Sequence, residues 1–230
     1  MVVKAVIFDL DGTIASFNLD YRAVRGDVRS YLLRIGVPSS LLPVNESVFE
    51  MLKNTEIFLK NSGKSVEAME EVRNDALAIA EKYELEAARG TGLLPGVNDV
   101  LKTLKRMDLK IGLFTLSSDK AARYILHRFK LGDFFGVIVP RNKVNYVKPN
   151  PEHLDMALKV LGAVPEETMV VGDSDVDMES AKELKAIAVG LPGGISTVDQ
   201  LMIHGANYII TSITDLPVII EQINKSQAVQ

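Results

Sequence analysis

The chain has 230 residues, 47% of them hydrophobic, enough for one sizeable domain with a smaller appendage. Its 26 basic and 30 acidic residues leave a net charge of −4, so neither a nucleic-acid nor a membrane partner held by bulk charge is expected. The absence of cysteine removes disulfides, thiolate nucleophiles and zinc–thiolate sites, fits a reducing, cytoplasmic setting, and confines catalysis to oxygen and nitrogen chemistry.

The apolar opening from Val2 to Phe8 is too short for a membrane span or a signal segment, and its β-branched residues predict a buried strand that ends at Asp9. The stretch from about 16 to 90 contains no convincing strand. Three amphipathic patterns there predict helices: Val24, Val28, Tyr31, Leu32 and Ile35; Val48, Met51, Leu52, Phe58 and Leu59; and Met69, Val72, Ala76, Ile79, Ala80 and Tyr83. Turn residues at Gly36 to Pro38 and at Gly90 to Gly96 punctuate them. From about residue 93 onward, β-branched runs at 110–115, 136–139, 168–172, 186–189 and 207–210 alternate with helical periodicities, as in βαβ units of a parallel sheet. Pro151 suits the first turn of the helix that carries Leu154, Ala157, Leu158 and Leu161. The expected fold is α/β: a Rossmann-like, doubly wound parallel core from residues 1–15 and 91–230, interrupted after its first strand by a small all-helical cap at 16–90. The tail from Ser226 to Gln230 is expected to fray.

Asp9-Leu10-Asp11-Gly12-Thr13 stands at the carboxyl end of the first strand, where open parallel sheets bind their ligands. Residues two apart in extended chain point the same way, so both carboxylates can face one ligand, and Gly12 lets the backbone turn closely past it. A bare acidic pair at a strand end also occurs as a solvated turn. The added Gly-Thr argues for a functional motif.

These residues resemble the first motif of the haloacid dehalogenase superfamily, Asp-X-Asp-Gly-Thr. Three further places are similar to that family's pattern, in its order: Ile111-Gly112-Leu113-Phe114-Thr115, a hydrophobic strand ending in Thr; Lys148-Pro149-Asn150-Pro151-Glu152, with a lysine before proline; and Val170-Val171-Gly172-Asp173-Ser174-Asp175-Val176-Asp177, an acidic strand end. The resemblance spans residue 2 to about 210. A helical insert between the first and second motifs is similar to the branch that includes phosphoglycolate phosphatases and β-phosphoglucomutases. One departure is Leu116, where many members carry Asn after the threonine; a backbone amide is still available there.

The chemistry of these residue types suits phosphoryl transfer. An aspartate is ionised at neutral pH, with a reference pKa near ~4, so Asp9 needs no base to act as nucleophile. Repulsion by an anionic phosphate is its difficulty, and a divalent cation with Lys148 would neutralise the equatorial oxygens. Asp9, the backbone carbonyl of Asp11 and Asp173 make the hard oxygen set that Mg²⁺ prefers, and the resemblance implies the same ligands. Asp11 is expected to protonate the leaving oxygen and later to deprotonate the water that cleaves an aspartyl-phosphate, which requires a raised pKa. Dehalogenase members lack an acid at that position, so Asp11 favours phosphate esters. Thr115, Leu116 and Lys148 are the expected phosphate-binding residues, with Thr13 and Asp177 supporting from behind.

Three have a plainer reading: Thr115 as a strand terminus, Lys148 as a surface residue and Asp177 as a helix cap; Asp175 is a less favoured substitute ligand. Arg22, Arg25 and Arg29 share a helix face that could meet an anionic substrate or simply be solvated. The expected activity is Mg²⁺-dependent hydrolysis of a small-molecule phosphate monoester, with phosphoglycolate as one guess. A β-phosphoglucomutase-like mutase is the rival. Relatives of that kind use a histidine near the cap entrance, whereas His127, His153 and His204 all lie outside the cap and read as surface or core-edge helix residues. A noncatalytic phosphate-binding protein would lack one of the catalytic groups. The chain is expected to be a monomer or a homodimer.

Overall fold

The structure, a computed structural model, describes residues 2–16 and 18–227. The chain divides into two compact units, Asn18–Arg89 and the sequence on either side of it.

The inserted unit contains helices α1 (Tyr21–Arg34), α2 (Val48–Asn61) and α3 (Val66–Gly90). Local chemistry starts the first two. The Asp20 side chain accepts from the Ala23 N–H, and the Ser47 side chain accepts from the Glu50 N–H, each satisfying a donor that the first helical turn leaves open. Val24, Val28 and Leu32 then fall on one stripe of α1 and share a buried cluster with Met51, Leu52 and Ala76. Ile35, the last residue of the predicted stripe, instead caps α1 and is 40% exposed. Two of the three arginines serve this unit's own packing: Arg25 Nη1 donates to the Asn45 carbonyl (3.1 Å) and Arg29 Nε to that of Leu42 (2.7 Å), tying down the α1–α2 connection.

In the larger unit, strands β1 (Ala5–Phe8), β2 (Lys110–Thr115), β3 (Val137–Pro140), β4 (Thr168–Gly172), β5 (Ile187–Gly190) and β6 (Tyr208–Ile209) form one sheet in the order β3-β2-β1-β4-β5-β6. Every pairing is parallel. Helices α4 (Val97–Arg106), α5 (Asp119–Arg128), α6 (Pro151–Leu161), α7 (Asp175–Glu183), α8 (Val198–Ile203) and α9 (Leu216–Gln227) complete the unit. All four residues of β1 and all five of β4 are buried, which explains their unbroken apolar runs: a central parallel strand is covered on both faces. Ile7, Phe114 and Val170 from three adjacent strands pack with Leu154 and Leu158 of α6 and Met178 of α7. Each such side chain contributes about 1.5–3 kcal/mol through burial.

Sequence boundaries shift in a few places. The first strand begins at Ala5 rather than Val2, because the Val3 and Lys4 amides are bonded to Asn224 Oδ1 (2.8 Å) and the Glu167 carbonyl (2.8 Å) outside the ladder. β6 covers only Tyr208–Ile209, pairing with β5 alone. Helix α9 runs to Gln227, past the start of the tail expected to fray, and residues 228–230 lie outside the described residues. No described helix is long and apolar enough to cross a membrane.

The topology positions the site. From β1 the chain moves out to β2 and β3, then returns to β4 on the other side of β1, so the order reverses at β1. A crevice at the carboxyl ends of the strands follows from that reversal, and the segments after β1, β2 and β4 meet there.

Candidate active site

The loop after β1 is wound tightly on itself: the Ile14 and Ala15 amides both donate to the Leu10 carbonyl at 2.9 Å, and the Gly12 amide donates to the Ala15 carbonyl at 2.8 Å. Gly12 adopts φ +85°, and a Cβ there would collide with the Asp173 carboxylate. Glycine is therefore required twice over, for conformation and for space. Asp9 is buried at the floor, with its amide bonded to the Val171 carbonyl of β4 (2.9 Å). Thr13 is fully buried, and its hydroxyl has no hydrogen-bond partner among the described residues.

Lys148 is buried between two carboxylates. Its Nζ donates to Asp9 Oδ1 at 2.5 Å and to Asp177 Oδ1 at 2.6 Å, and it stands 4.4 Å from the centre of the Phe114 ring. The surface reading of this lysine is excluded by its 4% exposure. Asp177 combines both roles open to it from sequence: its other oxygen, Oδ2, accepts from the Ser174 N–H (3.2 Å) and hydroxyl (2.5 Å) at the start of α7. Asp173 Oδ2 accepts from the Ile195 N–H (2.8 Å), while its Oδ1 is buried with no hydrogen-bond partner among the described residues. Gly194 lies so close that a Cβ would strike the same carboxylate.

Asp9, Asp173 and Asp177 each offer an oxygen within 4.8 Å of the others. Were all three ionised, the Lys148 ammonium among them would leave two negative charges uncompensated in a buried space. Burial raises the Asp9 pKa well above its ordinary value; Lys148 opposes the rise, and Asp177, Asp173 and Asp11 add to it. Asp173 is pushed up to about 7, first by burial and then by Asp177. For Lys148 burial favours the neutral amine, but Asp177 and Asp9 outweigh it and hold the ammonium above its usual range. The donor set suits a hard divalent cation: all oxygen, two charges in excess, and one buried carboxylate oxygen left unsatisfied. Asp177 is the weaker candidate ligand, since both its oxygens are already engaged. Asp175 opens α7 outside this cluster, with its Oδ1 accepting from the Val176 N–H at 2.9 Å.

Beside the cluster, Asp11 is held by the turn after β2. Ser117 Oγ donates to Asp11 Oδ2 at 2.6 Å, and Thr115 Oγ1 approaches the same oxygen at 3.5 Å, the outer limit of a hydrogen bond. Thr115 is fully buried and accepts from the Ser117 N–H (3.1 Å). The Leu116 side chain is half-buried, and its carbonyl accepts from Arg141 Nη1 (2.9 Å).

Sequence reasoning did not single out Ser117 or Arg141, and it misplaced His153. That histidine, read as a surface or core-edge residue, is fully buried in the first turn of α6. Its Nδ1 accepts from the Lys148 N–H (3.2 Å), and its Nε2–H therefore donates to the Val139 carbonyl (2.9 Å). Burial lowers its pKa to about 4, so the ring is neutral. A lone histidine one turn into a helix carries no periodic signal that distinguishes this role.

A doubly wound parallel sheet with a lysine and an acidic cluster at its switch point defines the class, an α/β enzyme with an anion- or cation-handling centre. Residues 3–185 match the haloacid dehalogenase-like hydrolases, and the chain belongs to that family. It is a phosphatase of that family. It is 28% identical to the pyrophosphatase PpaX of Bacillus mycoides over 97% of this chain and 100% of the relative. It is also 28% identical to a phosphoglycolate phosphatase of Pseudomonas putida, over 83% of this chain and 70% of that one. Among solved structures, a hydrolase from Pseudomonas syringae superposes with a TM-score of 0.67 at 27% identity, covering 96% of this chain and 99% of its own.

Proposed function

We propose that the chain hydrolyses a small-molecule phosphate monoester in a Mg²⁺-dependent reaction through an aspartyl-phosphate on Asp9. The observation that carries this reading is the buried Asp9–Lys148–Asp177 arrangement beside the unsatisfied Asp173 oxygen: a nucleophilic carboxylate paired with a cation, next to an oxygen set short of two positive charges.

Asp9 and Asp173, with the Asp11 backbone carbonyl, would hold the metal, and Asp177 would steady Lys148 from behind. When bound, the metal neutralises charge on the phosphoryl oxygens and lowers the raised pKa values of the aspartates. An Asp9 oxygen forms the new bond to phosphorus as the bond to the leaving oxygen breaks, and Asp11 gives that oxygen its proton. Asp11 then removes a proton from the water that attacks the phosphorus of the aspartyl-phosphate, which frees Asp9. Lys148 and the Thr115 hydroxyl, with the backbone amide of Leu116, bind the phosphoryl oxygens. Thr13 supports the loop that carries both aspartates.

The helical unit would act as the cap that selects the leaving group, since the chain enters it immediately after the Asp9–Ala15 loop. A mutase reading gains nothing, because the three histidines all fall outside 18–89. The relatives' names put phosphoglycolate and pyrophosphate first in a substrate panel. A cytoplasmic setting for the reaction fits a chain without cysteine. Hydrolysis of p-nitrophenyl phosphate with Mg²⁺, lost on chelation and in Asp9→Asn, tests the reading; turnover unchanged in Asp9→Asn would overturn it.

A further inference from the structure

We propose that Ser117 is a positioning residue for Asp11, fixing the orientation in which that carboxyl meets the leaving oxygen, and that Arg141 holds Ser117 in place to do so. The inference rests on the acid–base reading of Asp11 given above and adds the device that aims it.

Asp11 differs from the other aspartates of the site. Asp9 and Asp177 are fixed by the buried Lys148, and Asp173 by the Ile195 amide, whereas Asp11 is only half-buried. The turn after β2 reaches its Oδ2 with two hydroxyls, Thr115 at 3.5 Å and, much closer, Ser117 at 2.6 Å. A serine hydroxyl has one proton to donate, and here it is directed at Asp11 Oδ2.

The turn is built to present that hydroxyl. The Ser117 amide donates to Thr115 Oγ1 (3.1 Å), the Ser117 carbonyl accepts from the Arg141 N–H (3.3 Å), and Arg141 Nη1 donates to the Leu116 carbonyl (2.9 Å). Arg141 follows β3 directly and is 4% exposed, so its guanidinium is a costly group to bury and spends a hydrogen bond on this turn. Strand β3 thus braces the turn after β2, and the turn braces the carboxyl after β1.

The consequence is chemical. A general acid must lie within hydrogen-bond reach of the leaving oxygen, and a misplacement of about 1 Å can cost on the order of 100-fold. Loss of that aim matters in proportion to how badly the leaving group needs its proton. Phenolate needs it more than p-nitrophenolate, although the two esters have nearly the same shape. A merely structural role for Ser117 would lower both rates alike.

The test is kcat/KM for phenyl phosphate and p-nitrophenyl phosphate, which reports the steps up to release of the phenol, in the full chain with Mg²⁺. Ser117→Ala is expected to lose about 30-fold with phenyl phosphate and less than about threefold with p-nitrophenyl phosphate, with an unchanged melting temperature. Equal losses with the two esters, or no loss with either, would overturn the inference while leaving Asp11 as the acid. Asp11→Asn is measured beside it: the same discrimination, but larger, supports the acid reading, and its absence would remove that reading and the inference with it.

Discussion

Magnesium affinity should fall steeply below pH 7, because the metal must displace protons that the buried cluster binds in its absence. The metal-free Asp173 carboxyl is held at about 7 by burial and by Asp177, against 3.8 ordinarily. Well below that value each pH unit costs about tenfold in apparent affinity for one displaced proton; since the group is half protonated at pH 7 already, the loss from pH 7 to pH 5 is about 50-fold, or about 2.3 kcal/mol. Asp9, raised by burial and by its acidic neighbours, steepens the fall. The sign follows from linkage. A carboxyl whose folded-state pKa is raised makes the metal-free protein lose stability as pH climbs from about 4 to about 7, and a cation that prefers the ionised form restores it above that range. Calorimetric Mg²⁺ titrations at pH 5, 6, 7 and 8, each in two buffers of different ionisation enthalpy, measure both the affinity and the protons released. Affinity that changes less than about threefold between pH 5 and 7, with no proton release, would refute the argument.

Other expectations follow from single contacts. Gly12→Ala forces a side chain into φ +85° and into the Asp173 carboxylate; activity should drop by more than about 100-fold while circular dichroism shows the fold intact. His153 titrates in the opposite sense to Asp173: with a folded-state pKa of about 4 against 6.5, its contribution to stability is lost as pH falls from about 6.5 to about 4. Urea denaturation of the metal-free protein against His153→Asn across that range should show the wild type losing up to about 3 kcal/mol more than the variant. Met51→Ala removes a fully buried side chain from the helical unit and should cost about 2–5 kcal/mol, seen as faster amide exchange confined to residues of 18–89.

The sheet was legible because its central strands are buried on both faces and read as unbroken apolar runs, with acids or Thr115 at their ends. β2 and β4 match the predicted spans. The helical unit was legible from its stripes, down to Val24, Val28 and Leu32. Strand ends were less so: nothing in Val2-Val3-Lys4 reveals that the Val3 and Lys4 amides bond outside the ladder. At the site, the resemblance to a family's ordered motifs put Asp9, Lys148 and Asp173 beside one sheet edge with Asp177 in support, and the four share one cluster in the structure. The parts that hold the motif residues were not legible. Ser117 lies in a turn where a hydroxyl is unremarkable, Arg141 reads as a surface charge after Pro140, and His153 falls one turn into a helix. Each acts through a hydrogen bond across the sheet edge, and no periodicity along the chain encodes that distance.

The central claim is covalent chemistry at Asp9. Rapid acid quenching during turnover of p-nitrophenyl phosphate with Mg²⁺, followed by peptide mass spectrometry, tests it most directly. The account predicts one phosphoryl group on the peptide that contains Asp9, absent from Asp9→Asn; a phosphoryl group on another residue, or continued turnover in Asp9→Asn, would contradict it.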